Sequence, residues 1–471
     1  MTHFSRLTPE QCQRLHDASL AILERTGVRL YEAEAVELVR QAGATVTDGD
    51  RVRIPAQLVE RALATTPKSV TLFDRDGHPT MPLEGYRNYF GPGSDCLNIV
   101  DHCTGQRRKP VLQDVAQGVT LCDALENIDF VMSLFLPSDV DQTLADRYQM
   151  EVMLNHTVKP IVFVTYDLAG CVDAVEMAEA VAGGAAALRD KPFAACYINV
   201  TTGLRHNKEA LQKLLYLAEK GLPALYIPVV SSGTTGPMTM AGNVAMMNAG
   251  VLAGIVIAQL KREGAPVVVP GFGGDGLDMR TTVDPYCGPD HLGMAQSLAH
   301  HYPLPMFALA GASDAKLVDQ QAGIEAALML LLDALSGSHI IHDLGYLESG
   351  LTGSLTQLAI CDEIVSWIKP ITRGVEISDE TLALDLMDEL GPDGMYLDAE
   401  HTVEHCRERW YPRLFERDNY GGWLERGGKT LAERAAERVE EILATHQPDP
   451  LPKEVAEAIH SIVLRADRER K

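Results

Sequence analysis

The stretch "IIHDLGYLESGLTG", residues 340–353, sets His342, Asp343, Tyr346 and Glu348 directly behind the apolar pair Ile340-Ile341. A buried strand that runs into a titratable pair, an aromatic ring and a carboxylate either turns through an ordinary loop or points its C-terminal end into an active site. Other apolar runs end in the same way. They are followed by Tyr166 and Asp167; Asn199, Thr201 and Thr202; Ser231, Ser232, Thr234 and Thr235; Phe272 and Asp275; and Ser313, Asp314 and Lys316. This inventory is rich in hydroxyls, with a few carboxylates and several aromatic rings. Ring faces attract a ligand cation, above all a quaternary ammonium ion. A G-x-S-x-G elbow and a P-loop lysine are both missing, which disfavours a serine nucleophile and nucleotide-dependent transfer.

The elements that must carry these residues are legible in the hydrophobic pattern. Apolar runs at 128–136, 160–167, 193–200, 223–230, 265–272, 305–311 and 338–345 alternate with helical runs such as "HNKEALQKLLYLAEKG". Continuous hydrophobicity marks strands buried on both faces, and repeated strand–helix units argue for a parallel sheet. Seven clear units, with an eighth at either end, favour an α/β TIM (β/α)8 barrel over an open doubly wound sheet, because no G-x-G-x-x-G follows any strand. In such a barrel the active site lies at the C-terminal ends of the strands. Ahead of the barrel (111–425), residues 1–110 read as an α+β lead-in. Thr8, Pro9 and Gln11 announce its first helix by a capping box. Behind it, residues 426–471 carry two amphipathic helices whose stripes, Leu431/Ala435/Val439/Ile442 and Val455/Ile459/Ile462, must dock on the barrel or on another subunit of a homo-oligomer.

Composition narrows the partners. The 65 acidic against 41 basic residues give a net charge of −24, which disfavours nucleic acid and anionic membranes. The N-terminus lacks the basic and apolar regions of a signal peptide. Nine scattered cysteines without a C-x-x-C pair read as reduced thiols of a cytoplasmic protein. Neither His102-Cys103 nor His405-Cys406 has a third ligand at metal-like spacing, so no metal site is expected.

Several segments, in this order, resemble the trimethylamine methyltransferase family of corrinoid-dependent barrel enzymes. They are "HDASLAILERTGVRL", "GPGSD", "NIDFV", "SSGTTGPMTMAGNVAMMNAGVLAGIVIAQL", "LDMRTTVDPYCGPD", "GASDAKLVDQQAGIEAAL" and "HDLGYLESGLTGSLTQLAICDEI". One branch of that family carries pyrrolysine. This chain has only standard residues and is similar to the other branch, which includes glycine betaine methyltransferase. The resemblance implies methyl transfer from a quaternary amine to the Co(I) corrinoid of a partner protein, with the cobalamin-type cofactor carried by the partner. A quaternary nitrogen departs without protonation, so the enzyme's work is positioning. Tyr89, Phe90, Tyr166, Phe272 and Tyr346 are then the candidates to surround the trimethylammonium group. His342, Lys316, Ser231 and Thr234 are candidates to hold a betaine carboxylate, with His342 protonated or polarised by Asp343. Asp314 and Glu348 are candidates to balance charge. The glycines of "GFGGDG" and "GPGSD" are expected to open the mouth to the corrinoid face. A zinc-dependent barrel methyltransferase and a quaternary-amine binding protein without transfer activity are the alternatives.

Overall fold

The computed structural model describes residues 2–274 and 276–470, so Asp275 lies outside the described residues. Thr8 caps helix Pro9–Arg25 through the capping box with Gln11. Short strands Val28–Leu30, Arg51–Arg53 and Thr45–Thr47 follow and pair antiparallel, Arg205–His206 joins Val28–Leu30 in parallel, and helices Ala33–Gln41 and Ala56–Thr65 lie between and after the three strands in sequence.

The main sheet has seven parallel strands: β1 (Tyr89–Pro92), β2 (Ile161–Val164), β3 (Ala194–Val200), β4 (Ala224–Pro228), β5 (Val267–Pro270), β6 (Met306–Leu309) and β7 (Ile340–Leu344). Their order is β1-β7-β6-β5-β4-β3-β2, so each strand after β2 pairs with its predecessor and β7 returns to β1. Side chains alternate with period two. Ala195, Leu225, Val268, Phe307 and Ile340 face one apolar cluster, while Cys196, Tyr226, Val269, Ala308 and Ile341 join the larger one shared with the helices. The sheet is therefore a curled half-barrel with a concave and a convex side.

Two features differ from the pattern reading. Residues 89–92, assigned by sequence to the lead-in, form β1 of the main sheet. The apolar run 128–136 does not form a regular strand. Its segment makes only isolated parallel bridges, Val131 to Ile161 and Phe135 to Cys96, and Leu134 sits at φ +61°. Even so, the Asp129 N–H donates to the Phe90 carbonyl at 2.7 Å, and the Asp129 carboxylate accepts the Phe90 N–H at 2.9 Å. The Val162 N–H donates to the Val131 carbonyl at 2.9 Å. The segment thus bonds to β1 on one side and β2 on the other.

The N-terminal ends of the strands are plugged. Val70, Leu72, Met81 and Leu83 of the hairpin Val70–Phe73/Pro79–Leu83 pack into the concave cluster against Val162, Ala195, Leu225, Val268, Phe307 and Ile340. Among the described residues this leaves the C-terminal side of the concave face for a ligand.

Outside, helix Met240–Lys261 is long and apolar enough to cross a membrane by composition, but its apolar window is 78% buried among neighbouring elements. The C-terminal stripes dock on the same chain. Helix Leu431–Thr445 buries Ala435, Val439 and Ile442 and packs on helix Leu355–Thr372, and helix Lys453–Arg470 packs on helix Leu168–Ala182. Arg465 of the last helix pairs with Asp173 and Glu176 at 2.9 and 2.6 Å.

One half-buried cation anchors the chain entering the 129–135 segment. Lys159 Nζ donates to the carbonyls of Cys122, Leu125 and Ile128 at 2.7, 2.8 and 2.6 Å. Lys159→Met strands three carbonyls in a low-dielectric setting. We expect it to lower unfolding stability by about 3 kcal/mol in urea titration; an unchanged midpoint would show that water takes over those carbonyls.

Candidate functional site

A cavity of about 730 Å³ opens at the C-terminal end of the sheet. Its wall draws on every strand. Ser94 and Asp95 follow β1, Val164 ends β2, and Tyr197 and Asn199 belong to β3. Val229 and Ser231 follow β4, Phe272 to Gly274 follow β5, Leu309 ends β6, and His342 and Asp343 belong to β7. A loop after β5 adds Asp284, Tyr286 and His291, and Tyr346 completes the wall.

Strand alternation puts Phe307, Tyr197 and His342 in one row on the concave face. The His342 ring stacks on Phe307 at 3.8 Å between centroids, and Tyr197 lies 5.0 Å from Phe307. The His342 Nδ1–H donates to the Ala308 carbonyl at 2.6 Å, which leaves Nε2 as a lone pair. Nε2 lies 3.4 Å from Asp343 Oδ1. Burial pushes the His342 pKa down to about 3, so the ring is neutral at neutral pH. The protonated His342 expected to hold a carboxylate is therefore corrected. A fully buried imidazole with its N–H spent on a backbone carbonyl has no charge to offer.

Asp343 is the unusual residue. Its φ is +78°, and Gly345, Glu348, Ser349 and Gly350 share the left-handed region, so the loop after β7 concentrates backbone strain. Burial raises the Asp343 pKa well above the carboxylate range. The carboxyl packs over Gly93, where any Cβ would overlap both it and the Tyr346 ring, and the Tyr346 hydroxyl donates to the Ser94 carbonyl. A second carboxyl, Asp95, sits at φ +64° and accepts from Gln149 Nε2 at 2.8 Å; burial raises its pKa too. A third, Asp284, lies 3.4 Å from the Ser231 hydroxyl that donates to it. Against these three carboxyls and the rings of Tyr197, Phe272, Tyr286 and Tyr346, the described wall contains no lysine or arginine. The arrangement suits a cation.

Of the residues singled out by sequence, the structure brings His342, Tyr346, Phe272 and Ser231 into this wall. Asn199, Thr201, Thr235 and Asp343, which the sequence also sets behind apolar runs, line it too, while the other candidates stand elsewhere. Tyr89 lies toward the plugged end, its hydroxyl on the Pro82 carbonyl at 3.3 Å. Phe90 is buried on the convex side, because adjacent strand residues face opposite ways. Tyr166 follows β2 and is 48% exposed outside the wall. Lys316 is exposed and donates to the Asp314 carbonyl at 2.6 Å, so it is no carboxylate anchor here. Glu348 is taken by Arg107 at 2.9 Å and by the Thr352 hydroxyl. Thr234 turns its hydroxyl back on the Ser231 carbonyl at 3.3 Å, and Thr235 takes the place in the wall. The expected open glycines are corrected as well: space beside Gly91, Gly93 and Gly274 is filled by Phe130, by Asp343 with Tyr346, and by the Val230 carbonyl. Sequence reasoning misses Asp95, Tyr197, Asp284 and Tyr286, although "GPGSD" and "TTVDPYCGPD" contain three of them.

Asp314 stands behind the wall. Its carboxylate accepts the N–H groups of Tyr286 and Cys287 at 2.9 and 3.3 Å and the Ser349 hydroxyl at 2.7 Å, so it ties the Tyr286 loop to the loop after β7. Cys287, Asp314 and Glu325 are close enough to share an ion, but Glu325 is likewise engaged by the Ser313 hydroxyl and the Asp314 N–H at 2.6 and 2.9 Å. We expect Asp314→Ala to loosen Tyr286 and weaken cation binding about tenfold, with Asp314→Asn falling between; calorimetric titration of the three proteins checks this, and equal affinities would remove Asp314 from the positioning role.

Comparison with known proteins identifies the family of the chain. A family model described as Trimethylamine methyltransferase (MTTB) matches residues 1–470. The trimethylamine methyltransferase MttB of Desulfitobacterium hafniense (strain DSM 10664 / DCB-2) is 32% identical over 98% of this chain and 93% of its own length. The glycine betaine methyltransferase of Desulfitobacterium hafniense (strain Y51) is 28% identical over 99% and 98%. The trimethylamine methyltransferase MttB of Methanosarcina barkeri (strain Fusaro / DSM 804) is 31% identical over 98% and 95%. Among solved structures, the Methanosarcina barkeri monomethylamine methyltransferase superposes with a TM-score of 0.53 at 11% identity, covering 94% of this chain and 88% of that one, which is a likeness of fold.

Proposed function

The chain belongs to the trimethylamine methyltransferase family and is a methyltransferase, and from this premise we propose that it takes a methyl group from a quaternary amine held in the strand-end cavity and delivers it to the reduced corrinoid of a partner protein. The observation that carries the reading is the wall itself: Asp95, Asp284 and Asp343 with four aromatic rings and, among the described residues, no lysine or arginine. Such a wall favours a cation that keeps its charge at any pH.

A reduced corrinoid supplies the two-electron nucleophile. The C–N bond breaks with its electron pair left on nitrogen, so the amine departs neutral and needs no proton. The chain's own groups bind, orient and exclude water. Tyr197, Phe272, Tyr286 and Tyr346 offer faces and edges to the methyl groups, and Asp343 and Asp95 balance the positive charge of the bound donor. Neutral His342 keeps the floor flat by stacking on Phe307. Nothing in the wall need act as an acid. The connections that follow the strands carry exposed apolar side chains, Leu97, Tyr166, Met238, Met279, Leu317 and Leu351. Such a rim suits a partner that brings a broad, flat, weakly polar group over the mouth. In the same reading, residues 129–135 stand as the eighth stave of a closed eight-fold barrel between β1 and β2.

The test is charge itself. Choline and its carbon isostere, in which the ammonium nitrogen is replaced by carbon, share shape and differ in charge. We expect choline to bind about thirtyfold tighter in calorimetric titration. Equal affinity would mean that the cavity reads size alone and would sink the reading.

A further inference from the structure

The wall is uneven, and its unevenness bears on the part of the donor that does not react. The Asp343 and Asp95 carboxyls and the Tyr346 ring stand on the β1 and β7 side, while Tyr197, Phe272 and Tyr286 come from β3 and from beyond β5. The opposite side is built from Asn199, Thr201, Ser231 and Thr235. The Asn199 amide and the Thr201 hydroxyl sit exposed at the mouth and make no side-chain hydrogen bond among the described residues. Ser231 carries the third carboxyl, Asp284, beside it at 3.4 Å.

A donor with a carboxylate tail would bring an anion into this space. It would meet Asp284 on one side and Asp343 or Asp95 on the other, with no lysine or arginine among the described wall residues to receive it. Lys316, the nearest lysine in the sequence motif, spends its ammonium on the Asp314 carbonyl outside the cavity. Of the two histidines in the wall, His342 has its N–H committed to the Ala308 carbonyl, and His291 is tested by its own variant below. Hydroxyls and an amide can donate to a carboxylate, but each does so without charge, while the carboxylates around them repel it. A hydroxyl tail suits the same groups as both donor and acceptor.

We infer that the methyl donor is a quaternary ammonium compound whose second end is uncharged and hydroxyl-bearing, held by the Asn199 amide and the Thr201 hydroxyl beside Ser231, rather than a betaine carboxylate. This rests on the proposed quaternary-amine reading and names the substrate class within it.

Three probes share the trimethylammonium head and separate the two ideas: tetramethylammonium with no tail, choline with a hydroxyl, and glycine betaine with a carboxylate. Titrated into the whole protein, choline is expected to bind at least as tightly as tetramethylammonium, and glycine betaine about tenfold or more weakly than choline. Glycine betaine binding as tightly as choline, or tighter, would overturn the inference while leaving the cation reading intact. Failure of all three to bind would overturn the reading and the inference together. Asn199→Lys supplies the missing cation, and we expect it to reverse the order, strengthening glycine betaine and weakening choline. An unchanged order in that variant would remove the tail from the Asn199 side. Glycine betaine binding that disappears in His291→Gln would identify a carboxylate holder and overturn the inference.

Discussion

Replacing Asp343 by Asn is expected to weaken binding of a quaternary ammonium ion by about thirtyfold, the scale of a buried opposite charge at close range. Asn keeps the shape of the side chain and tolerates the left-handed backbone that Asp343 adopts at φ +78°. What the variant removes is charge alone. The wild-type carboxyl is fully buried and its pKa is raised well above the carboxylate range by desolvation. A cation stabilises the ionised form, so binding draws a proton off Asp343. Affinity should therefore rise with pH through the raised pKa, and titrations in buffers of different ionisation enthalpy should report proton release. Stability runs the other way. For a group whose folded pKa is raised, the stabilisation is complete below the unfolded pKa and is lost as pH rises through the folded value. Ligand-free Asp343→Asn should thus be at least as stable as wild type at neutral pH and should lose the pH dependence of binding. An Asn variant that binds the cation as well as wild type would show that the aromatic rings carry the recognition without the carboxylate.

Gly93→Ala is expected to be the most damaging small substitution in the site. A Cβ there would overlap the Asp343 carboxyl and the Tyr346 ring, and the Tyr346 hydroxyl is held on the neighbouring Ser94 carbonyl. Neither neighbour is a flexible side-chain tip that can swing clear into solvent: both are nearly buried. One methyl group must displace the two residues that define the cation side of the wall. The expected loss is about 2 kcal/mol of stability from overpacking, and about a hundredfold in cation affinity because both partners move at once. The double variant Gly93→Ala/Asp343→Ala should recover part of the stability and none of the binding, a coupling that a double-mutant cycle measures. Additive stability losses would mean that the methyl group introduced at position 93 does not press on Asp343.

The pattern of strands and the end of the sheet that holds the cavity are legible in the sequence, because both follow from hydrophobic period and from the chemistry of parallel strand–helix units. The site is half legible. His342 stands at a strand end and Ser231, Phe272 and Tyr346 just beyond theirs, where the pattern points. Tyr89 and Phe90 show the limit. The sequence pattern groups their strand with the lead-in, so neither its register nor its face can be read from it, and Phe90 faces the helices. Asp343 is visible only as a neighbour of His342. Its left-handed φ carries it toward Gly93 instead of along the alternation, and no composition or spacing rule encodes that turn. Lys316, Thr234 and Glu348 fail for a common reason: a polar side chain in a loop satisfies the nearest backbone or ion-pair partner first, within its own turn for Lys316 and Thr234 and from the distant Arg107 for Glu348. The strand expected at 128–136 fails because Leu134 leaves the extended region and side-chain bonding by Asp129 replaces part of the ladder.

The central claim is that the strand-end cavity presents a methyl group of a permanent cation to reduced cobalt. The direct measurement is single-turnover methyl transfer to cob(I)alamin, followed by the corrinoid spectrum, with wild type and Asp343→Asn side by side. We expect loss of the reduced-cobalt absorbance with choline or a related quaternary amine, one equivalent of the dimethylamino product, and a strongly reduced rate in the variant at limiting donor. Full occupancy of the cavity by the quaternary amine with no transfer to cobalt from any such donor, or equal rates in both proteins, would contradict it.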